Sequence, residues 1–393
     1  MSLKGEFEIL RGSAIQVVAP VVDVPCRELS DIEHLCKKPI VSVHMMAYRH
    51  EKYIAQAIES VMMQKTNFEF ELVIGEDASP DRTREICFEY QRRYPDRIRV
   101  LWSNENVFDI GGNATRITAA CRGEFIAFCE GDDYWTDSCK LQKQVDVMRK
   151  HPNVGLCFCN ADVKNESTGN VVPWNCGAVL PHGEIKGLKF ALMHIFGSNP
   201  LTAENDCNTL MTASVLLRRD LLIEAKQKFE VFSWKLLLSD TTTWLGLAFL
   251  ADVYFLPDHV SVYRRNENGL TWNSLGPVCR DAMLVRTFFV LKGLNLSLRD
   301  VGACFCDNIV RTFYAQMIGK SREECREYID KVISTEHFSF VFKRARSFPI
   351  VFALRRGWAS KRWLNFFGRL YNRVFKCFSV PKKLQQVYVD ANT

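Results

Sequence analysis

Three acids, Glu130, Asp132 and Asp133, close an apolar run in the stretch FIAFCEGDDYWTD, residues 125–137. Two adjacent carboxylates, with a third two residues earlier, offer hard oxygen donors. That set suits Mg2+ or Mn2+, which keeps several waters and is usually shared with substrate phosphates. Capping of the following helix is the competing use of such acids. It accounts for Asp137 but requires one acid rather than three. A second acidic stretch, GEDASPD (75–81), also follows an apolar run. The sequence has no G-x-x-x-x-G-K-[ST], and its Gly111-Gly112 doublet lacks G-x-G-x-x-G spacing. Neither G-x-S-x-G nor H-E-x-x-H occurs. A nucleotide bound by this chain therefore needs its pyrophosphate neutralised by a metal, not by a glycine loop.

The elements that must position these acids are legible in the hydrophobic periodicity. Residues 40–46 (IVSVHMM) predict a buried strand, and Tyr53, Ile54, Ala57, Ile58, Val61 and Met62 then recur at helical spacing. A strand at 71–75, a helix stopped by Pro95, a strand at 98–102 and a helix near 113–121 follow. The strand at 125–129 leads into a helix with Leu141, Val145 and Met148 on one face, then into the strand VGLCFCN. Further on, 211–222 predicts a strand running into a helix, 236–251 a helix, and 253–265 two short strands. Strand and helix alternating over short connections imply an α/β fold with a mostly parallel sheet. In such sheets ligands bind beyond the carboxyl ends of the strands, where both acidic stretches fall.

Three ordered segments carry a resemblance: PIVSVHMMAYRHEKYIAQAIESVMMQ, ELVIGEDASPDRT and GEFIAFCEGDDYW. Their order and spacing resemble the family 2 glycosyltransferases of the GT-A fold, in the bacterial branch with E-G-D-D-Y-W followed by K-L-Q-x-Q. The likeness is strong over 39–160 and weaker over 205–265. It implies that Ala47 and Tyr48 lie near the base of a nucleotide-sugar donor, a UDP-sugar, with Asp77 on the uracil edge. It implies that Glu130 and Asp132 hold the donor, and that Asp132 and Asp133 hold a divalent cation, Mg2+ or Mn2+. Glu130 stands where the family usually has Asp, and Arg49 where it commonly has Asn. Asp240, in LLSDTTTW, matches the base that deprotonates the acceptor hydroxyl; its other reading is an N-cap of the following helix. Tyr263 and Arg264 match a late motif, with Arg264 either on the diphosphate or solvated.

The net charge of +6 conceals a division. Residues 337–389 hold 12 Lys and Arg and no acid, leaving 39 basic and 44 acidic side chains in residues 1–336. Within 338–378 aromatics interleave the basic residues, and Trp363, Phe366, Phe367, Leu370, Val374 and Phe378 share one helical stripe. An anionic membrane surface contacted by residues 338–383 is the reading that stripe favours, over core packing and over nucleic acid. The 15 cysteines are scattered and form no C-x-x-C, which reads as reduced thiols in a cytosolic protein.

The expected organisation is an irregular N-terminal extension (1–38) and a GT-A domain (39–275) with a donor half (39–160) and an acceptor half (161–275). A helical region (276–335) and a basic, aromatic, amphipathic tail (336–393) follow. The resemblance implies an inverting transferase of bacterial cell-surface polysaccharide synthesis, cytoplasmic and peripheral on the inner membrane face, acting on a glycan or lipid-linked acceptor. A catalytically silent carbohydrate-binding or scaffold protein of the same fold is the alternative. A nucleotidyltransferase would want a glycine-rich triphosphate loop near the first strand, and none is present.

Overall fold

The computed structural model describes residues 14–18, 26–107, 112–174, 181–187, 190, 210–229 and 239–266. All belong to the first of two units into which the chain divides, residues 1–273. The expected helical region and basic tail lie outside the described residues.

In chain order the elements are β1 (Ala14–Val18), β2 (Cys26–Ser30), β3 (Val41–Ala47), α1 (Ile54–Met62), β4 (Phe70–Glu76), α2 (Thr83–Arg93) and β5 (Ile98–Trp102). Next come α3 (Gly112–Ala120), β6 (Phe125–Phe128), β7 (Tyr134–Trp135), α4 (Lys140–Lys150), β8 (Val154–Asn165), β9 (Val171–Trp174) and β10 (Gly183–Ile185). The chain continues with β11 (Leu216–Arg218), α5 (Arg219–Phe229), α6 (Ser239–Ala248) and β12 (Asp252–Arg265).

The strands form one sheet in the order β1-β2-β5-β4-β3-β6-β11-β8-β12-β10, with β7 on β12 and β9 on β8. Strands β5, β4, β3 and β6 are mutually parallel, as are β8 and β12. Antiparallel β11 joins those two groups, pairing with β6 and β8. This is the expected α/β GT-A architecture. The central strands are apolar along nearly their whole length because helices cover both faces: every residue of β4 and all but one of β3 are buried. Helix α1 turns Ile54, Ala57, Ile58 and Val61 inward at three- and four-residue steps. Asp137 does not cap α4 as its position suggested: the N-cap is Cys139, without a side-chain cap, and Asp137 instead accepts the Cys139 N–H at 2.8 Å in the turn ahead of the helix.

Two further expectations are corrected. The stretch 1–38 is not wholly irregular. Its β1 and β2 pair antiparallel, and β2 pairs with β5 at the sheet's edge. Pro20 and Pro25 forbid a long element but leave room for two five-residue strands. Residues 253–265 form one strand, not two. Its register on β8 slips between Leu256 and His259 and again before Val262, around Pro257, which has no N–H for the ladder.

Candidate active site

The carboxyl ends of β3, β4 and β6 open side by side, and the loops leaving them are tied together by hydrogen bonds. Asp77, one residue past β4, donates its backbone N–H to the Ala47 carbonyl at 3.0 Å. Its side chain is 2% exposed, and Oδ1 accepts the Val107 N–H at 2.9 Å. Burial pushes this carboxyl above the usual carboxylate range, against the opposing pull of Val107 and Arg116. Ala47 is buried beside it, while Tyr48 is 38% exposed at the rim. The guanidinium of Arg49 lies over the Tyr48 ring, 5.2 Å from its centroid. Arg49 adopts φ +59°, the left-handed region where Asn is tolerated best among non-glycine residues.

The loop after β6 brings the acids together. Glu130 accepts the Met46 N–H at 3.3 Å, and the Gly131 N–H donates to the Met46 carbonyl at 2.9 Å. Gly131 must be glycine, since a Cβ there would stand 2.7 Å from His50 Nδ1 and 2.9 Å from the Met46 carbonyl oxygen. Asp133 is buried, and its Oδ1 accepts the Arg264 backbone N–H at 2.9 Å. Asp132 is partly open: its Oδ2 accepts from Asn266 Nδ2 at 3.1 Å and lies 3.8 Å from His50 Nε2. Burial, then the Asp132 charge, raises the Asp133 carboxyl well above its ordinary value. The same two causes, with Asp240 adding to them, push Glu130 up to about 8.

Asp240 is therefore within electrostatic reach of Glu130. It is the second residue of α6, past the N-cap position, and its Oδ2 accepts from Thr212 Oγ1 at 3.2 Å. Arg264 is 3% exposed and not solvated. Its guanidinium donates to the Asp132 carbonyl at 2.7 Å, to Glu166 at 2.9 Å and to Gln56. It also stacks on Tyr53 and Tyr134. The arginine thus props the acidic loop from behind.

Residues 42–220 match the family model described as glycosyl transferase family 2. By that match the stretch is similar to the family 2 glycosyltransferases. An uncharacterized protein of Mycobacterium tuberculosis is 31% identical over 234 residues, which span 60% of this chain and 61% of that relative. The UDP-Glc:alpha-D-GlcNAc-diphosphoundecaprenol beta-1,3-glucosyltransferase WfgD of Escherichia coli is 32% identical over 129 residues, 33% of this chain and 48% of WfgD. Among solved structures, S. aureus TarS residues 1–349 superpose with a TM-score of 0.55 at 18% identity, covering 84% of this chain and 91% of that one. This last likeness is one of fold.

Further residues beyond the motif acids build the site. Arg49, His50 and Glu51 donate their backbone N–H groups to Ser79 (3.2 Å), Thr83 (2.8 Å) and Asp81 (3.2 Å). The polar residues of DASPDRT thereby hold the loop that follows β3. The K-L-Q-x-Q segment packs beneath the acids. Lys140 is fully buried, donates to Gln144 at 2.8 Å and lies over the Trp135 ring, and burial lowers its pKa to about 8. Gln144 in turn donates to the Ser214 carbonyl at 2.8 Å, just ahead of β11. Asn266 directly follows the YRR that was noticed, and His50 lies two residues beyond Tyr48; neither stands in an acidic pattern. Among the described residues no three His, Cys, Asp or Glu side chains are arranged to hold a metal by themselves.

Proposed function

We propose that this chain is an inverting glycosyltransferase that moves a sugar from a nucleotide-sugar donor, a UDP-sugar, to a glycan or lipid-linked acceptor in cell-surface polysaccharide assembly. The observation that carries the reading is the gathering of Asp77, Glu130, Asp132, Asp133 and Asp240 at one end of a parallel sheet. Two of those acids are held well above their ordinary pKa. The domain's family supports transfer chemistry. The E. coli relative, a UDP-Glc:alpha-D-GlcNAc-diphosphoundecaprenol glucosyltransferase, supports the choice of donor and acceptor class.

In this reading Asp77 accepts from the uracil edge, and Ala47 and Tyr48 flank the base. Asp240 takes the proton of the acceptor hydroxyl. That oxygen then bonds to the anomeric carbon from the face opposite the diphosphate, and the carbon–oxygen bond to the β-phosphate breaks, so configuration inverts and UDP leaves. The acidic loop suits a divalent cation: its carboxylates are hard donors, and the Arg264 guanidinium behind them is bonded to other oxygens. Asp132 and Asp133 are the residues that would hold Mg2+ or Mn2+. When bound, the cation supplies Lewis-acid stabilisation of the departing diphosphate. Arg264 we assign to positioning: it fixes the Asp132 main chain and the Asp133 carboxylate.

We further propose that residues 338–383 bind an anionic membrane surface, which would keep the enzyme near a lipid-linked acceptor. No helix of the described residues is long and apolar enough to cross a membrane.

The test is calorimetric titration of UDP with and without Mn2+, on wild type and on the Asp132→Ala/Asp133→Ala double variant. Binding that Mn2+ strengthens, and that loses this gain in the double variant, is the expected result. Absence of UDP binding under either condition would favour the silent scaffold protein instead.

A further inference from the structure

His50 is held by its main chain on both sides. Its N–H donates to Thr83 Oγ1 at 2.8 Å, and Thr83 Oγ1 donates to Asp81 at 2.6 Å. Its carbonyl accepts the Tyr53 and Ile54 N–H groups at 2.9 and 2.8 Å, at the entry to α1. The backbone is thus anchored to the loop after β4 and to the first turn of a helix. The ring is 18% exposed. Nδ1 is buried without a hydrogen-bond partner, close against Gly131. Nε2 faces Asp132 Oδ2 at 3.8 Å, within ion-pair range but beyond hydrogen-bond length. On its other side Asp132 Oδ2 accepts from Asn266.

This arrangement links the two acidic motifs through a single residue, by its main chain on one side and its ring on the other. A ring so anchored has little freedom, whereas the Asp132 carboxylate can swing by rotation about χ1 and χ2. A shift of about 1 Å brings Oδ2 into hydrogen-bond range of Nε2. We propose that His50 is a positioning residue for Asp132: Nε2 donates to one carboxylate oxygen and leaves the other aimed at the cation that accompanies the diphosphate. Side chains that orient metal-binding carboxylates act on metal affinity without touching the metal. The proposal rests on the donor and cation reading given above and adds to it a residue that the acidic motifs do not contain.

The experiment is the same calorimetry, UDP with and without Mn2+, on His50→Ala, His50→Gln and His50→Asn, with thermal melting of each. The gain in UDP affinity that Mn2+ gives should fall about 10- to 100-fold in His50→Ala. Metal-free UDP affinity should stay within about twofold of wild type, because the side chain that the ring approaches is Asp132, a proposed cation ligand. His50→Gln, whose amide nitrogen can stand near the Nε2 position, should restore much of the gain; His50→Asn, whose amide stops near Nδ1, should not. A His50→Ala protein that keeps the full Mn2+ gain while melting lower makes the ring a packing element and overturns the proposal alone. A wild-type protein whose UDP binding ignores Mn2+ removes the cation reading, and the proposal with it.

Discussion

Two groups of buried acids sit at opposite ends of the same parallel strands, and they are balanced in opposite ways. At the amino end, Glu71 is fully buried but answered by cations. Arg122 donates to it through Nε and Nη2 at 2.9 and 2.5 Å, Arg99 approaches at 3.3 Å, and Ser42 Oγ donates at 2.6 Å. Burial alone would raise this carboxyl, but the two arginines and the serine outweigh it and hold the pKa below the ordinary value. Glu28 completes the network with a bidentate pair to Arg99. At the carboxyl end Glu130 and Asp133 are shifted upward, because burial there is reinforced by neighbouring acids. Charge closed on itself stabilises a fold; charge left unbalanced favours a positively charged ligand.

The comparison can be broken most sharply at Glu71. Glu71→Gln leaves the guanidinium groups of Arg99 and Arg122 short of a counter-charge, and we expect a loss of about 3–5 kcal/mol in urea denaturation. At the other end the sign should reverse. Asp133→Asn keeps an acceptor for the Arg264 N–H but removes a disfavoured negative charge. It should melt higher than wild type without ligand, while losing the Mn2+ gain in UDP affinity. A lower melting temperature without ligand would refute the contrast between the two ends.

The pH dependences should also differ. The Glu130 carboxyl keeps its proton in the folded chain up to about 8, against an ordinary value of 4.5. The folded state therefore binds the extra proton across that window, and stability falls as pH rises through it. Glu130→Gln should flatten that decline in melting temperature. For Glu71 the folded value is depressed. Its contribution is full above its unfolded pKa and is lost only as pH falls through the lower folded value. The smallest effect is expected at Arg49: Arg49→Gly relieves the left-handed backbone and should raise stability by about 1 kcal/mol in the same denaturation assay.

The strand-and-helix alternation and the acidic ends of β4 and β6 were legible because they depend on local period and composition. In places the match is close: β5 begins and ends where the apolar run does, whereas the N-cap of α4 falls at Cys139, two residues after the Asp137 that the spacing suggested. What local pattern misreads is pairing. Residues 1–38 look irregular in isolation, yet Cys26–Ser30 forms a strand whose neighbour, β5, is some seventy positions away. Residues 253–265 look interrupted at Pro257, yet the long partner β8 holds both halves in one strand.

The sequence by itself determined the α/β class, the three motifs in their order, and the acids that follow the central strands. These follow from side-chain chemistry and from periods of two and 3.6 residues, both local properties. Only the tertiary structure decided which acids are compensated and which are not. It buried Arg264 behind Asp132 instead of exposing it, brought Asp240 within reach of Glu130, and set His50 beside a carboxylate 82 positions away. Those outcomes depend on distance and desolvation across the sheet, and neither quantity exists until the chain has folded.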